Sequence, residues 1–514
     1  MATRSEKFAF NIKRLSGFLK EVFSDRRGVF GVGIIVFFIL LAFLSPFLTP
    51  YDPYSDTYLA GDYAVPMWLD SMPGGGHYAE NMLLLNMSQA GFNKATAVSE
   101  WNISVSDIAH VNVTYCSNVG DPKSGPGCMV VEYYRRKGET PNVVEVSLEK
   151  AFNYPYVDSP KRFVANYSLL ADGMEDVRDI QLQSILTRYP DGTSDNFTEK
   201  QLYTLKTYRL SATTTIWEMP TDIDSYSATV TSQFPGAGNE PSRIMFNTTE
   251  SHTYSYGLKL TINDFDPDKE VHLFVYLDGI NLRTYGTAFG LLGTDALGRD
   301  IFTQLVYGTR ISLLVGLLAA VLGVTIGLFV GVVAGYVGSV VDELLMRFTD
   351  MLLVLPSLPL LLVLIAVLGN STWNLILLIG ALGWMGFARV VRSQTLSLKE
   401  RPFVEAAKAV GARKFYIITT HIIPNVMSLV YVTLALSVPG AILSEAALSF
   451  LGLFDPRVMS WGRMLHDSMA VERSVQKWWW TLPPGLLIAF LSMSFILIGY
   501  AIDDVLNPKL RQRR

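Results

Sequence analysis

The chain has 514 residues, of which 50% are hydrophobic and only 17% charged, with a mean hydropathy of +0.28; an average soluble protein is roughly 25% charged. That balance excludes a disordered or acidic-tail protein, because such chains are charge-rich and apolar-poor. Two cysteines exclude a disulfide scaffold, and a net charge of −4 provides no electrostatic footprint for nucleic acid.

Charge divides the chain into two materials. Residues 51–290 hold 17 Lys and Arg against 30 Asp and Glu, and the other 274 residues hold 25 against 16. An acidic segment set into a basic, apolar chain is the pattern of a membrane protein with one large translocated domain, because Lys and Arg are retained on the cytoplasmic side.

The N-terminal segment carries seven basic residues: Arg4, Lys7, Lys13, Arg14, Lys20, Arg26 and Arg27. Gly28–Pro50 follows, 23 residues without a charge. A bilayer core takes about 20 apolar residues in a helix, so this run spans. It exceeds a signal-peptide core, and no small-x-small cleavage site follows in SPFLTPYDPY, so it is expected to remain as an anchor.

Residues 51–290 are long enough for a core of their own. Short runs rich in β-branched residues recur there: CMVVEYY, NVVEVSL, ATTTIWEM, YSATVTSQF, YGLKLTI and VHLFVYLDG, bounded by Gly, Pro, Asp and Asn. They predict a mostly β, sandwich-like domain. Both cysteines, Cys116 and Cys128, lie here. An oxidising compartment would join them in a disulfide; the alternative is two buried thiols. Six Asn-x-Ser/Thr sequons, at Asn86, Asn102, Asn112, Asn166, Asn196 and Asn247, are candidate glycosylation sites on an outside surface.

Four more charge-free runs follow: Ile311–Val341, Met351–Ala388 (whose LGNSTWN centre is a turn signal), Phe415–Ser444 and Trp478–Ile502. They predict six spans in all, at about 28–48, 311–335, 348–368, 372–390, 425–447 and 481–502. Buried helices of a soluble protein average about 12 residues, shorter than any of these runs. Six spans place the N-terminal segment, the basic stretch 389–414 and the tail (Lys509, Arg511, Arg513, Arg514) on one side, which is then cytoplasmic. Residues 51–290 fall outside. Trp478, Trp479 and Trp480 are expected in an outer aromatic belt. Asp342, Glu343, Arg347 and Asp350 read as a short loop in which Arg347 and Asp350 pair, Glu445 as an acid near the outer interface held by a structural partner, and Asp503 and Asp504 as solvated.

The most informative stretch is RPFVEAAKAVGARKFYIITTHIIPN, residues 401–425. Pro402 suits a first helical turn, Glu405 sits near the positive end of the helix dipole, and Gly411 stops the helix. Phe403, Ala406, Ala407 and Val410 fall on one face at i, i+3, i+4, i+7. A second short helix then leads to Pro424 and the next span. The small apolar face suits a protein groove better than lipid headgroups.

Glu405, Ala406, Ala407, Gly411 and Pro424 at these spacings, with Arg413 between, resemble the EAA loop of ABC-importer permeases. His421 stands where the family pattern has Ile, and Ile423 where it has Leu; the HIIPN string is similar to the HxLPN variant of the dipeptide/oligopeptide branch. LGTDALGRDIFTQLVYGTRISLLVG (292–316), LSEAALSFLGL (443–453) and SWGRML (460–465) resemble the same branch in the same order. The likeness covers 1–50 loosely and 291–514 closely; nothing carries over to the acidic segment.

The resemblance implies that the polytopic α-helical protein with six transmembrane helices has the type I ABC-importer permease fold; the mostly β extracytoplasmic domain between helices 1 and 2 rests on the strand runs alone. Residues 1–50 would be the cytoplasmic N-terminus and first helix, 51–290 the outside domain, and 291–514 the permease core with its EAA coupling loop at 400–424. It further implies a second permease subunit, two ATP-binding subunits that carry the ATP and magnesium, an extracytoplasmic substrate-binding protein, and the plasma membrane of a prokaryote with both termini inside. Peptides are the expected cargo; the branch also serves oligosaccharides and nickel. No G-x-x-x-x-G-K-[ST] string occurs, so the chain is expected to be no enzyme. GTDALGRD reads instead as a short outer interfacial helix. The scattered histidines predict no metal site, and no nucleophile–base constellation is visible. A membrane-anchored envelope glycoprotein is the competing class, but it has no use for a cytoplasmic coupling helix.

Overall fold

Each charge-free run is helical in the computed structural model, which describes residues 23–506 apart from 73–76, 87–89, 91, 141, 178, 190–199, 215, 220–222, 235–239, 249–251 and 470–476. The sequon at Asn196 and the basic residues within 1–22 and 507–514 lie outside the described residues. The chain divides into a helical unit, built from residues up to Asp56 and from Asp300 onward, and a β unit, Thr57–Arg299.

In chain order the helical unit holds α1 (Arg26–Leu48), α2 (Ile301–Val337), α3 (Ser339–Val354), α4 (Ser357–Leu368), α5 (Thr372–Leu382), α6 (Met385–Lys399), α7 (Pro402–Ala409), α8 (Lys414–Phe450), α9 (Trp461–Met469) and α10 (Trp478–Leu506). By length and composition α1, α2, α8 and α10 can each cross a membrane. The other two expected spans are bent pairs: α3 meets α4 at 90° and α5 meets α6 at 41°, so the count among the described residues is four, or six with each pair taken as one span. The first break has a covalent cause. Pro356 pushes the residue before it out of the helical region, and Leu355 is extended with ψ 132°. Asp342, Glu343, Arg347 and Asp350 therefore stand on helix α3 and not in the expected loop.

Side-chain caps fix the starts of α1 and α2. Asp25 accepts the Arg27 N–H at 2.8 Å, and Asp300 accepts the Thr303 N–H at 2.9 Å and its hydroxyl at 2.6 Å. Helices α2 and α6 approach through glycine: a Cβ at Gly331 would lie 2.5 Å from the Ala388 carbonyl oxygen, the kind of close contact that membrane helices use in place of a hydrophobic drive. Asp504, expected to be solvated, instead accepts from the Arg27 guanidinium, which brings the start of α1 beside the end of α10. Trp479 and Trp480 are buried within the chain, unlike an expected belt of three, and Trp478 is 42% exposed.

The stretch after Gly411 is no separate helix. A π-turn at Ile418–Ile422 joins Lys414 to the span as one element. The wider turn precedes Pro424, whose ring and missing N–H an unbroken α-helix would not accommodate.

The β unit is a sandwich of two five-stranded antiparallel sheets. The first has β1 (Met82–Leu83), β3 (Val111–Cys116), β4 (Cys128–Arg135), β6 (Arg162–Asp172) and β10 (Val271–Tyr285), in the order β1-β10-β4-β3 with β6 also paired to β10. The second runs β2-β5-β9-β7-β8, with β2 (Asn102–Val105), β5 (Val143–Asn153), β7 (Asp179–Tyr189), β8 (Gln201–Leu210) and β9 (Thr253–Asn263). One face of each strand supplies the core: Tyr254, Tyr256, Leu258, Leu260 and Ile262 of β9 are all buried, together with Val144, Val146 and Leu148 of β5.

Two expected strands and the expected outer helix differ. Among its described residues ATTTIWEM makes an isolated bridge, Leu169 to Glu218, and no strand. YSATVTSQF contains a short helix, Ala228–Thr231, capped by Ser227. LGTDALGRD is a knot of turns: Thr294 donates to the Gly61 carbonyl at 2.6 Å, and Asp295 pairs with the Arg299 Nε at 2.7 Å. Its polar side chains bond across loops and leave no run of backbone free to coil.

Candidate functional site

Helix α7 is short and held at both ends by its own sequence. Arg401 is extended, Pro402 opens the helix, and Glu405 lies in the first turn. At the other end Gly411 takes φ +80°, its N–H reaches the Lys408 carbonyl at 3.0 Å, and the Ala412 N–H reaches the Ala407 carbonyl at 3.0 Å. This left-handed stop favours glycine.

The burial of α7 differs from the expected pattern. Val404, which the i, i+3, i+4, i+7 reading leaves out, is 0% exposed and packs in a core with Ile417, Ile422, Val426 and Val391. Ala407 is half-buried against that core. Phe403 is 42% exposed, Val410 is 88% exposed, and Ala406 is open. The helix is thus tied to α6 and α8 by one face and keeps a second apolar face free on this chain. Glu405, Ala406, Gly411 and Arg413 are all exposed along this short stub, continued by Phe415 and Tyr416. Pro424 is exposed farther along α8 and serves the π-turn locally. The His421 ring lies 6.0 Å from both the Phe403 and the Tyr416 ring, so the α7 aromatic lies beside α8.

Ion pairs tie α3 to α6. Arg392 donates through Nε and Nη2 to Asp342 at 2.5 and 2.6 Å, and Arg389 donates through Nε to Asp350 at 3.1 Å. Arg347 pairs with Glu343 at 2.8 Å, four residues back, and not with Asp350 as the spacing predicts. Glu445 is fully buried and accepts from the Ser449 hydroxyl at 2.7 Å, while its Oε2 has no partner among the described residues. In the loop after α8, Asp455 collects the Thr372 N–H at 3.2 Å and the Arg457 Nε at 3.0 Å, and the Arg457 guanidinium holds its carboxyl down to about 2.

A hollow of about 270 Å³ opens among α2, α4, α5 and α8, lined by Gly323, Ser357, Gly383, Ser437, Gly440 and Ser444 with alanine and aliphatic neighbours. Sequence reasoning does not reach it, because small residues in an apolar run carry no period that separates packing from an open surface.

In the β unit, Cys116 and Cys128 are unbonded but directly opposed across β3 and β4. Opposed antiparallel residues sit about 4.5–5.5 Å apart at Cα, within disulfide reach. Asn86, Asn102, Asn112 and Asn166 are exposed and Asn247 is half-buried. His110 stands between Asp107 at 2.7 Å and Glu139 at 3.2 Å, and the Asp107 hydrogen bond raises its pKa.

Residues 323–512 match the family described as the binding-protein-dependent transport system inner membrane component, and residues 15–66 match the N-terminal TM domain of oligopeptide transport permease C. The dipeptide transport system permease protein DppC of Bacillus subtilis is 40% identical over 221 residues, 43% of this chain and 69% of that protein. The oligopeptide transport system permease protein OppC of Haemophilus influenzae is 44% identical over 224 residues, 43% and 71% of the two chains, and that of Escherichia coli K12 is 43% identical over 220 residues, 43% and 72%. These matches, with the apolar helices, make this a multi-pass membrane protein that belongs to the dipeptide and oligopeptide permeases of binding-protein-dependent ABC transport.

Proposed function

We propose that this chain is one of two transmembrane subunits of an ATP-driven importer, with six spans in the type I permease fold and both termini cytoplasmic in a prokaryotic plasma membrane. It forms half of the translocation pathway. Two ATP-binding subunits lie beneath it and hold the nucleotide and magnesium, and an extracytoplasmic binding protein delivers the cargo. Peptides are the favoured cargo because the relatives are dipeptide and oligopeptide permeases; oligosaccharides or nickel are the alternative.

One observation carries the coupling role: α7 is anchored through Val404 yet presents Ala406 and Val410 exposed, beside a partly exposed Phe403. A stub that is rigid toward the spans and bare toward the cytoplasm transmits the closing of a partner to the helices. Closure on ATP then biases the inward and outward states by differential binding. Gly411→Pro or Glu405→Lys should leave the chain inserted and complexed but abolish substrate-stimulated ATP hydrolysis; normal stimulation in both variants refutes the assignment.

The β unit is assigned outside, where Cys116 and Cys128 form a disulfide and the exposed sequons accept glycans. Its role is to dock or orient the binding protein. Deletion of 55–285 should lower uptake while the ATPase complex still assembles; unchanged uptake removes the docking role.

A further inference from the structure

The hollow among α2, α4, α5 and α8 lies where the two bent pairs break, at the start of α4 and the end of α5. Its α2 wall, Ala319–Val324, is midway along a 37-residue helix. Its α4 wall begins at Ser357, immediately after the Pro356 break, and its α5 wall ends at Gly383, where α5 gives way to α6. Its α8 wall, Ser437–Ser444, contains Pro439, which has no N–H to offer the Ala435 carbonyl. In hydrocarbon, backbone without a helical partner persists only against protein or a water-filled cavity. Interrupted helices near mid-membrane are where transporters hold what they carry.

The chemistry of the wall is uniform. Three hydroxyls, Ser357, Ser437 and Ser444, stand among glycine, alanine and aliphatic residues, and no lining residue is charged or aromatic. Ser444 donates to the Gly440 carbonyl at 2.8 Å. A Cβ at Gly440 meets nothing within 4 Å. Hydroxyls both donate and accept, so they serve the alternating N–H and C=O of an extended peptide. A wall without charge gives no preference between acidic and basic side chains.

We propose that this hollow is the wall that the chain contributes to the translocation pathway, and that it engages passing peptides through their main chain. This deepens the importer reading and rests on it. This wall is therefore neutral toward side chains, and a single charge placed on it creates a preference that the native wall lacks.

The test uses the complete transporter, with its partner permease, ATPases and binding protein, reconstituted in vesicles. ATP-driven uptake of Ala-Lys-Ala is compared with that of Ala-Glu-Ala. Ser437→Asp should shift the uptake ratio toward the lysine peptide by roughly tenfold, and Ser437→Lys should shift it oppositely by a similar factor. An unchanged ratio in both variants overturns the proposal. A second readout covers variants that carry nothing: Ser437→Cys, in a Cys116→Ser, Cys128→Ser background, should react with a small water-soluble thiol reagent and be slowed by transported peptide. Failure to react means that position 437 faces lipid or packed protein and also overturns the proposal. Vesicles of the native transporter that take up neither peptide with ATP refute the importer reading itself, a result distinct from either failure of the wall.

Discussion

Val404 is the residue that anchors α7 to the helical unit. It is buried in one core with Ile417, Ile422 and Val426 of α8 and Val391 of α6. Val404→Ala removes two methyl groups and leaves a cavity, a local loss of about 1–3 kcal/mol. The expected outcome is a complex that assembles and binds ATP but transports with lower efficiency per ATP, read as the ratio of uptake to hydrolysis; Val410→Ala, at an 88% exposed position, should leave the isolated chain's stability unchanged. A different residue sets a pH dependence in the β unit. Burial pushes the Asp278 carboxyl up to about 6, despite the N–H groups of Asp121 and Gly279 that it accepts. Its folded pKa lies above the unfolded value of about 3.9, so the folded state holds the proton more tightly. That contribution to stability is fully present below about pH 4 and is lost as pH rises through about 6. Amide exchange of β10 in the full-length protein should therefore quicken between pH 4 and 6 beyond its intrinsic pH dependence, and Asp278→Asn should flatten that excess.

At the scale of elements, glycine has opposite meanings in two helices. At Gly331 a Cβ lies 2.5 Å from the Ala388 carbonyl oxygen, whereas at Gly440 it meets open space. Gly331→Ala forces α2 and α6 apart at a cost of about 1–3 kcal/mol, so its melting midpoint should fall by several degrees while Gly440→Ala melts like the parent. Equal midpoints would remove the close α2–α6 contact from the account. Strands β3 and β4 offer another element-scale test. Cys116 faces Cys128 in register, and burial and the neighbouring thiol raise the Cys128 pKa, which keeps that thiol protonated and slow to react alone. Protein matured in an oxidising compartment should carry no free thiol until it is reduced, and quantitative thiol titration before and after reduction decides this.

At the scale of the molecule, the sequence made legible what has a period or a punctuating residue. Charge-free length located the apolar helices, and runs rich in β-branched residues between turn residues located β4, β5, β9 and β10. Pro402 and Gly411 bounded α7, and the EAA spacing pointed to the family. What was hidden depends on contacts distant in sequence. Arg27 meets Asp504 across most of the chain, and Asp342 meets Arg392 across 50 residues. Val404 falls off the apolar stripe because tertiary contact with α6 and α8, not the local period, selects the buried face. The break at Pro356 was written in the sequence but masked by the long apolar run around it. LGTDALGRD read as a helix because its polar groups show their loop partners only when folded.

The central claim is that Glu405–Gly411 is a lever worked by a separate ATPase. A photo-crosslinking residue at position 406, in cells that express the whole transporter, tests this most directly. The account predicts a covalent adduct to an ATP-binding subunit whose yield changes when non-hydrolysable nucleotide is trapped. Adducts only to lipid, or reaction with a membrane-impermeant reagent added outside intact cells, would contradict it.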